Sequence, residues 1–503
     1  MTVLASAPAP TRRWTTYLRA PEAIGVLVML VGTAFRLRQF LYNRSLWIDE
    51  SMLGLNIVHR SARALLGPLD WNQAAPPGFL LAEKAAVTLF GNTDLALRVV
   101  PFASSLAALV MVWWLGRRLT TGAGAVVALA LFSTCEKLIF FSSEVKQYSS
   151  DVMISLALLC CAEYWRAEPS RSRLLFFGVF GAAAVWLSHP AVFVLAGAAA
   201  LLTRVQMARN QSRPWELLLA IVPWAVSFLV LYSLVLARTA HNDALAQFWR
   251  AYFMPFPPRS FDDLRWFLIF PFRVFEDPMS LQFPGLGAFC FIVGCIAYAR
   301  SPGDRELLLL FLTPILGTLL ASSLHQYPFG LRLLLFLIPI FTLVIAHGVA
   351  LLLSATSWPV AAAAILLLLL RPSIESTYHL GKPREVQEIK ALLDQVKPAL
   401  TSADWIYVHQ DAVPAFTFYD ERYGWNHAKV TLEAKGAGGL EEFHEAASGF
   451  SRGDRCWLIF THFEPGRDLP TIAAYQGILA DRAELVSRIA VTGGLALLFR
   501  VNR

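Results

Sequence analysis

Cysteine and charge are both scarce in this 503-residue chain. Of its six cysteines, Cys135, Cys160, Cys161, Cys290 and Cys295 fall inside hydrophobic runs, and only Cys456 lies in a polar segment. That distribution excludes a disulfide framework and offers no zinc-binding spacing. Charged residues make up 16% of the chain against 56% hydrophobic, with a mean hydropathy of +0.51. A soluble protein of this size needs more polar surface than that. No internal repeat or low-complexity segment stands out. The first apolar run lacks a small-residue cleavage site, carrying Arg36 and Arg38 in its place, and is expected to remain as an anchor.

What is present is a series of apolar runs, near residues 22–42, 94–116, 121–141, 148–165, 173–188, 190–205, 215–237, 282–299, 306–324, 331–353 and 357–371. Runs of about 17 to 25 residues cross the hydrocarbon core as helices. The fold class expected is therefore mainly α, a polytopic membrane protein with about eleven transmembrane helices. With Arg12, Arg13 and Arg19 in the cytoplasm, the basic loops at Arg117–Arg118, Arg166–Arg173, Arg204–Arg213 and Arg300–Arg305 all fall on the same side. An odd number of spans then puts the C-terminal tail outside. These cations read as topology signals, and no nucleic-acid partner is expected.

Two domains are expected, a membrane domain over 1–380 and a soluble periplasmic α/β domain over 381–503. From Gly381 onward 14 Lys+Arg meet 16 Asp+Glu, so the tail is near −2 while the whole chain is +7. A helix near Arg384–Val396, strands at Trp405–Val408, Cys456–Phe460 and Leu495–Val501, and a helix near Thr471–Asp481 give the α/β pattern. In the first outer loop, residues 43–93, the stretch Met52–Leu66 is expected to lie flat on the membrane, and Gly78–Phe90 to form a second surface or re-entrant helix. Aromatic residues between 238 and 281, among them Trp249, Tyr252 and Trp266, suit an interfacial belt or a lipid-chain groove.

The chemistry gathers at the outer rim. Asp49 and Glu50 follow the first span; they suit either a helix N-terminus or a base working at the membrane surface. A short outer connection packs Glu144, Lys146, Tyr148 and Asp151 into one turn. It reads as a solvated turn or as a phosphate grip through Lys146, with Glu144 orienting a sugar. His325 and Arg332 open a later span, where Arg332 is an interface anchor or a phosphate clamp. His189-Pro190 reads as a tight turn. Glu136 and Lys137, placed in a span, are expected to pair with each other or with backbone.

The order of these features resembles the GT-C superfamily of membrane glycosyltransferases, in the glycosyltransferase family 39-like branch that holds aminoarabinose transferases and protein O-mannosyltransferases. The likeness rests on Arg36, on Leu46-Trp47-Ile48-Asp49-Glu50, on Pro76-Pro77-Gly78-Phe79 followed by Phe90-Gly91, on Ala96-Leu97-Arg98-Val99-Val100-Pro101, on Gly116-Arg117-Arg118-Leu119 and on Ser143-Glu144-Val145-Lys146-Gln147-Tyr148-Ser149. It implies that Asp49 is the catalytic base, helped by Glu50, and that the donor is a sugar on a polyprenyl phosphate. Lys146 and Arg332 become candidates for that phosphate, with Glu144, Tyr148 and His325 beside the donor. The implied reaction is an inverting transfer at the periplasmic face of a bacterial inner membrane, to a lipid, polysaccharide or protein acceptor. No cofactor is required by this reading, although a divalent metal at Asp49 and Glu50 stays open. The alternatives are a ligase for a lipid-linked oligosaccharide and a lipid or sugar transporter. The chain departs from the aminoarabinose branch in carrying Ala75 where a lysine often precedes the Pro-Pro pair.

Overall fold

The computed structural model describes residues 19–209, 214–237, 243–423, 429–434, 436 and 438–502. Arg12, Arg13 and Arg213, on which part of the topology argument stands, lie outside the described residues.

Each of the eleven apolar runs is helical. Among the described residues, six helices are long and apolar enough to cross a membrane: Ala20–Tyr42, Ala96–Leu119, Ala191–Ala208, Pro214–Leu236, Leu331–Ala355 and Trp358–Gly381. Gly122–Thr134, Pro284–Arg300 and Leu307–Ser323 are apolar but shorter. Arg171–Leu187 has 17 residues, and Tyr148–Ala167 carries Asp151, Glu163 and Arg166. The chain is thus an integral membrane protein, with six helices among the described residues that meet the length and apolarity of a crossing helix.

The third run breaks at Cys135 into Gly122–Thr134 and Glu136–Phe141. A break frees backbone carbonyls that lipid cannot satisfy. The buried Arg36 guanidinium donates to the Phe132 and Ser133 carbonyls, at 3.1 Å each, and to Gly32 O at 3.0 Å. Glu136 and Lys137 pair neither with each other nor with backbone as expected. Glu136 meets Arg384 at 2.5 Å and Lys137 meets Asp277 at 3.7 Å, because the break turns the two side chains toward other parts of the chain.

Beyond the last span a five-stranded sheet forms from β1 (Trp405–Val408), β2 (Val430–Leu432), β3 (Arg455–Thr461), β4 (Ala483–Val491) and β5 (Gly494–Val501), in the order β2-β1-β3-β5-β4. The β1 strand is parallel to both β2 and β3, while β5 is antiparallel to β3 and β4. Strands covered on both faces read as continuous apolar runs, and Cys456–Phe460 is buried throughout. One sheet face, with Ile406, Val408, Trp457 and Ile459, shares a core with Leu46, Leu53, Ile57 and Phe79 of the first outer loop. The other packs Leu458 and Phe460 against Phe443 and Tyr475.

That shared core overturns the expectation that Met52–Leu66 lies flat on the membrane. The helix runs Ile48–His59, is buried from Glu50 through Ile57, and packs against Val413–Tyr423 and Pro77–Phe90. Met52, Leu53, Leu55 and Ile57 supply its apolar contacts, and protein encloses all of its faces from Glu50 through Ile57. Asn56 survives there because its amide donates to Met52 O at 2.8 Å and its oxygen accepts from Asp70 N at 2.9 Å.

Within the bundle, Pro284–Arg300 and Ile338–Ala355 approach backbone to backbone. A Cβ on Gly348 would stand 2.1 Å from the Cys290 carbonyl oxygen, and one on Gly294 would stand 2.0 Å from that of Val344. Small residues permit such approach between membrane helices. Gly348→Leu should therefore lower the unfolding temperature in detergent, costing about 1–3 kcal/mol or more by overpacking. Gly303→Ala, at a position with open space around it, should leave that temperature unchanged.

Candidate functional site

Glu50 is the pivot from which the site is built. Its carboxylate is fully buried between two guanidiniums: Arg44 pairs with Oε2, and Arg98 Nη2 reaches both oxygens at 3.1 Å. Val145 N–H donates to Oε1 at 2.9 Å and Trp47 N–H to Oε2 at 3.4 Å. Burial works to raise this carboxyl, but Arg44, Arg98 and the Val145 N–H together hold it below its ordinary value. Arg44 also donates to Ser143 O at 3.3 Å, and Arg98 to Arg44 O at 2.7 Å. One carboxylate thereby ties the segment just after the first span, Arg44–Glu50, the start of the second span and the turn 142–147 into a single unit.

Asp49, its sequence neighbour, faces the other way. It sits in the first turn of Ile48–His59 with 24% of its side chain exposed, and its Oδ2 accepts from Arg332 Nη2 at 2.8 Å. Burial acts to raise the Asp49 carboxyl, but the charges of Lys146, Arg332 and His462 outweigh it and keep the group ionised to lower pH than a free aspartate. The Arg332 guanidinium lies 5.6 Å from the Trp47 ring centre, 5.8 Å from that of Tyr148 and 5.4 Å from that of Trp249. Aromatic faces hold a cation without neutralising it, so Arg332 keeps unspent donors for an anion.

The turn supplies the rest. Lys146 is buried, and its ammonium donates to Gln73 Oε1 at 2.5 Å. Burial is the main influence lowering its proton affinity; Asp49 opposes it. Glu144 is fully buried, with Arg44 at 3.9 Å as its ion-pair partner. Desolvation, then the Glu50 charge, push its carboxyl up to about 7. Asp49, Glu144, Lys146, Tyr148 and Arg332 are thus brought together around one point. His325 is set apart from them, in a left-handed backbone conformation with its ring 5.0 Å from Phe253. Asp151 and His189 flank the site; a cavity of about 170 Å³ lined by Gln73, Leu65, Leu69, Leu80, Leu234 and His189 opens beside the Lys146 partner.

The sequence motifs and aromatic runs include Trp47, Arg98 and Trp249 without giving them these roles. Arg44 and His462 carried no local signal; only their folded neighbours reveal them. Among the described residues, no cluster of three or more His, Cys, Asp or Glu side chains is placed to hold a metal ion.

Removing the Glu50 carboxylate leaves Arg44 and Arg98 buried and unpaired. Glu50→Ala should destabilise the protein by about 3–5 kcal/mol, read as a lowered unfolding temperature. Glu144 gives a pH test. Its folded value, about 7, lies above its ordinary 4.5, so the folded state holds a proton that the unfolded state releases across that window. Its contribution to stability is full below 4.5 and is lost as pH rises through about 7. Glu144→Gln should flatten the fall in unfolding temperature between those pH values.

No protein-family model matches the chain, and no curated relative matches it. Solved structures do match, two of ArnT among them. The crystal structure of ArnT from Cupriavidus metallidurans in the apo state aligns over 96% of this chain and 98% of that one, with a TM-score of 0.53 and 12% identity. The same ArnT bound to undecaprenyl phosphate aligns over the same shares at 11% identity and a TM-score of 0.53. Over nearly its whole length, then, the chain has the fold of ArnT, an aminoarabinose transferase of the GT-C superfamily, which is the superfamily its sequence motifs resemble.

Proposed function

We propose that the protein is an inverting glycosyltransferase that moves a sugar from a polyprenyl-phosphate donor to a hydroxyl of an envelope acceptor. One observation carries this reading: an accessible, ionised carboxylate, Asp49, stands against Arg332 and beside Lys146, so a base and two anion-binding cations share one chamber. The bond bookkeeping is simple. Asp49 takes the acceptor hydroxyl proton as the acceptor oxygen bonds to the anomeric carbon, and the bond to the phosphate oxygen breaks with its electron pair leaving on phosphate. Lys146 and Arg332 stabilise that departing charge. A phosphate leaving group needs no protonating acid, unlike the alkoxide of a glycoside. Asp49 then gives its proton to water.

Glu50 is assigned a supporting role, because donors from four residues already engage its oxygens. The pair fits a divalent ion poorly: Arg44 and Arg98 surround one carboxylate, Arg332 grips the other, and a dication would be repelled by all three. The ArnT structure with undecaprenyl phosphate supports a polyprenyl-linked donor. The apolar cavity beside Gln73 suits the first isoprene units of such a carrier. With Ala75 in place of a lysine, Lys146 is the cation assigned to the phosphate. We assign the active site to the outer face of a bacterial inner membrane, with the N-terminus cytoplasmic, eleven crossings and residues 381–503 as a periplasmic domain.

The test is transfer in proteoliposomes from undecaprenyl-phosphate-linked aminoarabinose and related single-sugar donors. Asp49→Asn should cut turnover at least about a hundredfold and retain undecaprenyl phosphate binding. Full turnover by Asp49→Asn would sink the assignment, and lipid movement without any new glycosidic bond would make the protein a transporter.

A further inference from the structure

One residue from the C-terminal sheet, His462, acts on Asp49 through its charge. Strand β3 ends at Thr461, and His462 follows in the left-handed backbone region, with φ at 58°. A non-glycine residue rarely adopts that conformation. Here it turns the imidazole out of the sheet edge toward the first outer loop. The ring centre lies 6.3 Å from that of Trp47, the residue that precedes the Asp49 helix and whose indole also lies under Arg332. Of the groups whose charge acts on Asp49, Lys146 and Arg332 come from the bundle and His462 from the outer domain.

The turn that carries His462 is braced. Its carbonyl accepts from Arg467 Nη2 at 3.3 Å, Arg467 is paired with Asp468 at 2.8 Å, and Phe463 N–H donates to Gly493 O at 3.3 Å. The position in the sheet is also telling. After β1 the chain adds β2 on one side, then crosses to place β3 on the other. Open sheets receive ligands outside the carboxyl ends of their parallel strands at such a reversal. Here that edge carries Asp411 after β1 and His462 after β3, and Thr461 Oγ1 donates to Asp411 O at 3.4 Å.

Inversion adds a constraint. The incoming hydroxyl must meet the sugar on the face opposite its phosphate. If the bundle cations hold the phosphate, the acceptor approaches Asp49 from the remaining wall, and that wall is the outer domain.

We propose that His462 is the acceptor-side positioning residue of the site, hydrogen-bonding a hydroxylated, sugar-bearing acceptor so that its attacking oxygen meets Asp49. The proposal rests on the transferase reading above. It assigns the carboxyl edge of β1 and β3 to acceptor recognition and leaves donor binding to the bundle.

The experiment uses the full-length protein in proteoliposomes, with undecaprenyl-phosphate-linked aminoarabinose as donor and a glucosamine-disaccharide glycolipid as the acceptor probe. His462→Ala should raise the acceptor KM about tenfold or more, the effect of one lost hydrogen bond, with donor KM, undecaprenyl phosphate binding and unfolding temperature unmoved. His462→Gln, which keeps a donor and an acceptor at similar reach, should recover part of the loss. A merely structural role would move donor and acceptor terms together. Wild-type protein that forms no product with any single-sugar donor overturns the transferase reading. Wild-type transfer with an unchanged acceptor KM in both variants, or with both KM values raised alike, overturns the role of His462 alone.

Discussion

A carboxylate without water stands at the centre of this structure. Glu50 is enclosed by Arg44 and Arg98 so completely that none of the three side chains has meaningful solvent access. Such a cluster contributes little net stability, since desolvation of the ions offsets most of their attraction. What it supplies is geometry. Three stretches distant in sequence, 44–50, 98 and 143–145, must close on the same point or leave charge stranded. Asp49 inherits its direction from that closure, as the adjacent residue on the opposite side of a helix's first turn.

The electrostatics around Asp49 follow the same logic at lower burial. Lys146 and Arg332 are neighbours of one sign in a confined space, and each is moderated differently. Lys146 leans on the neutral amide of Gln73, while Arg332 lies among three aromatic faces and one carboxylate. Neither cation is cancelled. Lys146 is held by a neutral partner, whereas Arg332 shares its charge with the Asp49 carboxylate.

Much of this was legible from residues alone because the signals were local. Apolar runs became helices, Trp405–Val408 became a strand with the same ends, and the two adjacent acids did fall at the start of a helix, Ile48–His59. What was hidden depended on contacts distant in sequence. The Met52–Leu66 stretch reads as amphipathic only until the outer domain is known to cover it; then its polar exceptions, such as Asn56, prove to be satisfied internally. Strands β2 and β4 escaped notice for opposite reasons. The first is only three residues long, and the second is an edge strand whose face is mostly exposed. The Cys135 break sits among Ser133, Thr134, Glu136 and Lys137, but its sponsor, Arg36, is about a hundred residues away.

The fastening between bundle and outer domain carries a mechanical consequence. Asp94, at the foot of the second span, is gripped by Arg422, by Lys390 at 2.8 Å and by the Tyr419 hydroxyl at 2.7 Å, while Tyr419 also accepts from Leu46 N–H and Gln387 from Ile48 N–H. Lifting the upper body would strand that carboxylate and bare the apolar helix beneath. The seam is riveted, so traffic to the chamber must enter elsewhere than between these two bodies.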